Sequence, residues 1–140
     1  MAGLQHSVII ASAPARVWRL IVDVEGWPEH IATVGSVERL DDGPLAVGSR
    51  TRLRQPKLPE AVWTVTELDE GTSFTWESAS PGVRVVAGHV VEPHAEGSRL
   101  SLSITVSGLM APVGWLMTKS LTRRYVETEA ASIKEAAEAG

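Results

Sequence analysis

A chain of 140 residues has the size of one domain that buries about two thirds of its unfolded surface, and 44% hydrophobic against 21% charged residues excludes a disordered chain. With 17 acidic and 13 basic residues, a formal charge of -4 and no long Lys/Arg block, the composition argues against nucleic acid as the main partner. The absence of cysteine excludes disulfides, thiolate zinc sites and a cysteine nucleophile together.

Residues 4–11, LQHSVIIA, are rich in β-branched types and predict a first strand. Ser12 is placed to cap the helix that follows, and Pro14 sits in its first turn, where a missing N–H costs nothing. That helix, Pro14 to about Val22, puts Val17, Leu20 and Ile21 on one side with Trp18 flanking them. In DVEGWPEH, residues 23–30, Gly26 and Pro28 break the helix and restart a short second one, with Trp27 at the apex. A glycine, a proline and a large amphipathic ring in a helix break are the make-up expected of a pocket lid.

From Thr33 to Val106 the turn signals DDGP, LDEG, SPG and EPHAEG separate β-type runs, which predicts six strands in a meander of hairpins. Residues 111–138 then hold no glycine or proline beyond Pro112 and Gly114, which predicts a helix of about 25 residues, roughly 38 Å long. Val113, Leu116, Met117 and Leu121 lie on one side of it, and Val126, Ala130, Ile133 and Ala137 on another. The second half is expected to pack on the sheet and the first half to cover something else.

This order predicts an α+β fold, one domain over residues 1–140. A seven-stranded curved antiparallel sheet wraps around a long C-terminal helix, with two short helices between strands 1 and 2. Such a sheet cannot close its middle with ordinary side chains everywhere, so a cavity for a small hydrophobic molecule is expected between sheet and helix. Strand alternation puts Trp63 with Val65, Phe74 with Trp76, and Val85 with Ala87, His89 and Val91 each on one face of its strand, and if those faces are concave they give a pocket an aromatic wall. These rings fill the core or wall a pocket. On the second reading the ligand-contacting set is Trp27, Trp63, Val65, Phe74, Trp76, Val85 and His89, with Met117 and Leu121 from the helix.

His89 is a lone imidazole on an apolar face and needs a partner, either a core group or a ligand. Glu129 and Arg124 on the long helix are placed to reach a polar end of a ligand or to form salt bridges with the sheet. No catalytic residue is assigned. His89, Glu129 and Arg124 are the groups that would move protons if the site were an enzyme's. No metal site is expected, because His89 and His94 have opposite strand parity and no paired His motif occurs. Phosphate-binding loops and a Gly-x-Ser-x-Gly elbow are absent, so no cofactor and no serine nucleophile are implied. Arg50, Arg52 and Arg54 alternate onto one face, either a solvated outer face or a patch for an acidic partner.

The opening VIIASAPARVWRLIVDVEGWPEH, then VGSR, WTVTEL, FTWES and GHVVEP, and the closing VETEAASIKEAAE together resemble START-like (SRPBCC) domains, in particular the polyketide cyclase/dehydrase and lipid-transport family. The resemblance runs from Ser7 to Glu138. It implies the helix-grip fold, with a pocket between sheet and C-terminal helix. LRQPKLPEAVW is similar to a bacterial subgroup distinct from the dedicated aromatase/cyclases, and no catalytic residue carries over.

The function expected is binding or carrying a small hydrophobic molecule such as a lipid or polyketide. A cyclase/dehydratase acting in the same cavity and a protein-interaction module are the alternatives. MAGLQHSVII has no basic region before an apolar run and no stretch is long enough to span a membrane, so a cytoplasmic protein is expected, as a monomer or weak homodimer.

Overall fold

The computed structural model describes residues 2–139. Strand β1 (Ala2–Ile10) alternates exposed Gly3, Gln5 and Ser7 with inward Leu4, His6, Val8 and Ile10, the period-2 pattern of a half-buried strand. The chain then enters α1 (Pro14–Val22), a short 3-10 turn (Val24–Gly26) and α2 (Trp27–His30). Val17, Trp18 and Ile21 are the buried stripe of α1. Ser12 does not cap this helix: Ala13 occupies the cap position, and the Ser12 carbonyl oxygen accepts a bond from Ser98 Oγ at 2.6 Å. The backbone of Ser12 is thus tied to the last strand.

The meander follows as β2 (Ser36–Arg39), β3 (Arg50–Arg54), β4 (Ala61–Asp69), β5 (Ser73–Ser80), β6 (Val83–His94) and β7 (Gly97–Ser107). All pairs are antiparallel, and the order across the seven-stranded sheet is β1-β7-β6-β5-β4-β3-β2. A bulge between Val65 and Glu67 absorbs Thr66. Trp63 and Val65 face inward before it and Leu68 after it, so the bulge bends β4 while keeping apolar residues on the concave side. Registers Phe74↔His89, Trp76↔Ala87 and His89↔Leu102 then stack the inward residues of three neighbouring strands.

The last element, α3, runs over 28 residues, Ala111–Glu138. Its second half buries Val126, Ala130, Ile133 and Ala137 at three- and four-residue spacing against the sheet. Polar contacts pin that end: Lys134 Nζ donates to Ile9 O, Arg16 Nε to Ala137 O and Ala11 N to Glu138, each at 2.8 Å. The first half has no such anchors on β1 or α1, and Val113, Leu116 and Met117 are exposed.

On the convex side, Arg52 pairs with Glu38 at 2.5 Å and with Glu60 at 3.2 Å, and Arg54 pairs with Glu60 at 2.6 Å. Two of the three arginines of that face, Arg52 and Arg54, therefore carry their own counter-charges. Among the described residues, no helix is long and apolar enough to cross a membrane.

Candidate functional site

Between the concave face and α3 lies a cavity of about 610 Å³, within the range of small-molecule sites. Trp27, Leu53, Trp76, Ala87 and His89 form its buried end, whereas the exposed wall residues Pro59, Glu60, Ala79 and Ser80 mark the mouth. The rings form one array. Trp76 meets Trp27 edge-on at 5.4 Å and lies 5.7 Å from Trp63, and Phe74 meets Trp76 edge-on at 5.4 Å. Helix α3 supplies the opposite wall through Gly114, Thr118, Thr122, Tyr125, Val126 and Glu129. The Tyr125 hydroxyl donates to Pro56 O and ties the β3–β4 loop, at the mouth, to the helix.

Two titratable groups meet at the inner end of this apolar space. His89 is stacked on Phe74 with ring centroids 4.1 Å apart, and its Nδ1 bonds the Phe74 carbonyl oxygen at 3.1 Å. A carbonyl can only accept, so the neutral ring carries its proton on Nδ1 and presents the Nε2 lone pair. Nε2 is 3.9 Å from Glu129 Oε2, too far for a direct hydrogen bond and close enough for both to reach one ligand oxygen.

Burial moves both groups toward their neutral forms. Loss of solvent pulls His89 down to about 4, against a smaller upward pull from the Phe74 carbonyl, and pushes Glu129 up to about 7. At mildly acid pH the pair is therefore a carboxylic acid beside a neutral imidazole, with the proton on Glu129. At that inner end, beside the tryptophans, the pair offers one donor and one acceptor. Among the described residues no group of three or more His, Asp or Glu is arranged to hold a metal.

A family described as polyketide cyclase/dehydrase and lipid transport matches residues 1–138 of the sequence. The chain belongs to this family. The solved structures similar to this family member include the Zhui aromatase/cyclase of a Streptomyces species, with a TM-score of 0.81 and 17% identity over 98% of this chain and 93% of that one. The XoxI protein of Bacillus cereus superposes with a TM-score of 0.77 at 17% identity, covering 98% and 96% of the two chains. The di-domain ARO/CYC protein BexL matches with a TM-score of 0.76 at 19% identity over 96% of this chain. This chain spans only 46% of BexL. At such identities the likeness establishes the helix-grip fold and no activity. No curated protein matches the sequence.

In this member of the polyketide cyclase/dehydrase and lipid-transport family, the residues expected at the site divide three ways. Trp27, Trp63, Trp76, Val85 and His89 reach the cavity, as does Glu129. Val65 and Phe74 are buried behind the wall, 1% and 0% exposed, with Phe74 serving as the platform under His89. Met117, Leu121 and Arg124 are outside it: Met117 is 79% exposed, Leu121 half-buried and Arg124 exposed. The reason is the facing of α3, whose first half turns small and polar residues inward and apolar ones out. Thr118, Thr122 and Tyr125 escaped the sequence reading, since it sought apolar residues. The spacing of Gly114, Thr118 and Thr122 at four-residue intervals was the available signal.

Proposed function

We propose that the protein binds a small, largely apolar molecule carrying a polar oxygen. The body of the ligand lies against Trp27, Trp63 and Trp76, and its oxygen lies between His89 Nε2 and Glu129. The observation that carries this reading is the convergence of the two neutral-leaning groups at the closed end of an aromatic-walled cavity. A hydroxyl at that end satisfies both groups, donating to His89 Nε2 and accepting from the Glu129 carboxylic acid, and an entirely apolar ligand leaves them unpaired at a cost of about 1–3 kcal/mol.

The native protein should bind an environment-sensitive apolar dye such as ANS and show quenching of tryptophan fluorescence, and a native mass spectrum of protein from its host should retain the ligand. His89→Ala should lose affinity, by about tenfold for each 1.4 kcal/mol of lost contact, and should also lose about 1–3 kcal/mol of stability, because the ring it removes is buried on Phe74 and bonds the Phe74 carbonyl. Native protein that takes up no apolar probe, or a His89→Ala variant that binds the host ligand as tightly as wild type, would overturn the reading.

A cyclase/dehydratase in the same cavity is favoured by one feature, a carboxyl group poised near neutrality. Glu129, pushed up to about 7, suits proton transfer at physiological pH, whereas His89 at about 4 is a weak base and serves better as an acceptor that orients the substrate. On this reading Glu129→Gln should retain binding and lose turnover by roughly a hundredfold.

A further inference from the structure

The face of α3 that turns away from the cavity is unusual for a chain of this charge. Leu109, Leu116 and Met117 are 95%, 83% and 79% exposed, and Met110 and Val113 are about half exposed. At 3.6 residues per turn, Val113, Leu116, Met117, Arg123 and Arg124 fall within an arc of roughly 120°, with Lys119 at its edge. The segment Leu109–Val126 contains Lys119, Arg123 and Arg124 and no acidic residue, and the exposed Glu127 that follows on the same arc still leaves a local excess of positive charge on a chain whose formal charge is -4. Among the described residues, none of these three cations forms an ion pair. A cluster of large apolar side chains thus projects into solvent beside unpaired positive charge.

We propose that this face of α3, with Leu109 and Met110 before it, docks the protein on an anionic lipid bilayer. The apolar side chains project from a convex helix face next to cations that no carboxylate pairs among the described residues. A bilayer accepts such side chains at the headgroup boundary without shape complementarity, while cations on the same helix meet acidic headgroups. The position of the patch adds a second argument. Met110 packs on the β5–β6 turn, where its N–H donates to Gly82 O at 2.9 Å, and neighbouring Ser80, Val83 and Gly114 line the cavity. Docking there brings the mouth against the membrane, a route by which an apolar molecule enters without crossing water. The docking itself does not depend on what the cavity holds, so vesicle binding and cavity occupancy succeed or fail separately.

The test is co-sedimentation of the full chain with phosphatidylcholine vesicles that contain or lack phosphatidylglycerol. Wild type should pellet with the anionic vesicles, be released by salt, and bind neutral vesicles far more weakly. The joint variant Leu116→Glu/Met117→Glu should lower vesicle affinity by about tenfold or more with its melting temperature unchanged, since neither residue is packed. Joint neutralisation by Lys119→Gln, Arg123→Gln and Arg124→Gln should weaken binding on the order of fivefold per cation. Wild type that stays in solution with anionic vesicles overturns the proposal, as do variants that pellet like wild type. Equal binding to neutral vesicles overturns the role of the cations. Concentration-dependent dimerisation in lipid-free solution that Leu116→Glu abolishes, without vesicle binding, assigns the face to a second copy instead.

Discussion

His89 on β6 and Glu129 on α3 are separated in the chain by the whole of β7, yet their titrations are opposed in a way that hides both. Glu129 has a folded pKa raised from 4.5 to about 7, so its contribution to stability is full below the unfolded value and is lost as pH rises toward about 7. His89 has a folded pKa lowered from 6.5 to about 4, so its contribution is full above the unfolded value and is lost as pH falls toward about 4. Between about pH 4.5 and 6.5 each state binds one proton, the folded chain on Glu129 and the unfolded chain on the histidine. The two slopes cancel there, and the pair leaves wild-type stability flat. Single variants should unmask them. Denaturant melts across that window are expected to show Glu129→Gln gaining stability relative to wild type as pH rises and His89→Gln losing it, by up to about 1.4 kcal/mol per pH unit. Parallel profiles for all three proteins would mean that neither group is held away from its ordinary value.

At the scale of elements, α3 performs two tasks that a single amphipathic stripe cannot. The second half is fully packed: Ala130 is 0% exposed where the helix approaches the sheet, and Ala130→Leu should cost about 1–3 kcal/mol through overpacking. The first half stands off the sheet, and Thr118 and Thr122 face the space left between them. Filling that space separates wall from exterior. Thr122→Phe should reduce ANS binding with the fold intact by circular dichroism, whereas Met117→Gln, on the outward face, should leave dye binding unchanged in the same titration. Equal loss of dye binding in both would place the dye on the exposed face of the helix and not in the cavity. Strand β4 makes a similar point. Simple alternation carries Trp63 and Val65 inward but assigns Glu67 to the core, and only the bulge at Thr66 restores Leu68 to that side.

Across the whole molecule, the helix break at residues 23–30 brings Trp27 from the N-terminal third of the chain to the closed end of the cavity. Trp27 is 2% exposed and packs on Trp76 and His89. Trp27 lines the cavity, so a bound ligand should hold this segment in place, and amide exchange around Gly26 is expected to be faster in the free protein than with ligand bound. Equal protection in both states, measured by mass spectrometry, would make Trp27 a fixed plug. The order of elements, the meander and the length of the last helix were legible in the sequence, because turn residues and apolar periodicity act over a few residues and are written locally. So was the inward set on β4, β5 and β6, apart from the bulge. Which of those residues meet the cavity was not legible, nor was the rotation of α3 that turns Thr122 to the cavity and exposes Met117. Those outcomes depend on how far a curved sheet stands from the helix it grips, a distance set by contacts between residues such as Ile9 and Lys134 that lie at opposite ends of the chain. Local pattern determined what each segment became, and long-range packing alone decided which face of it met the empty space.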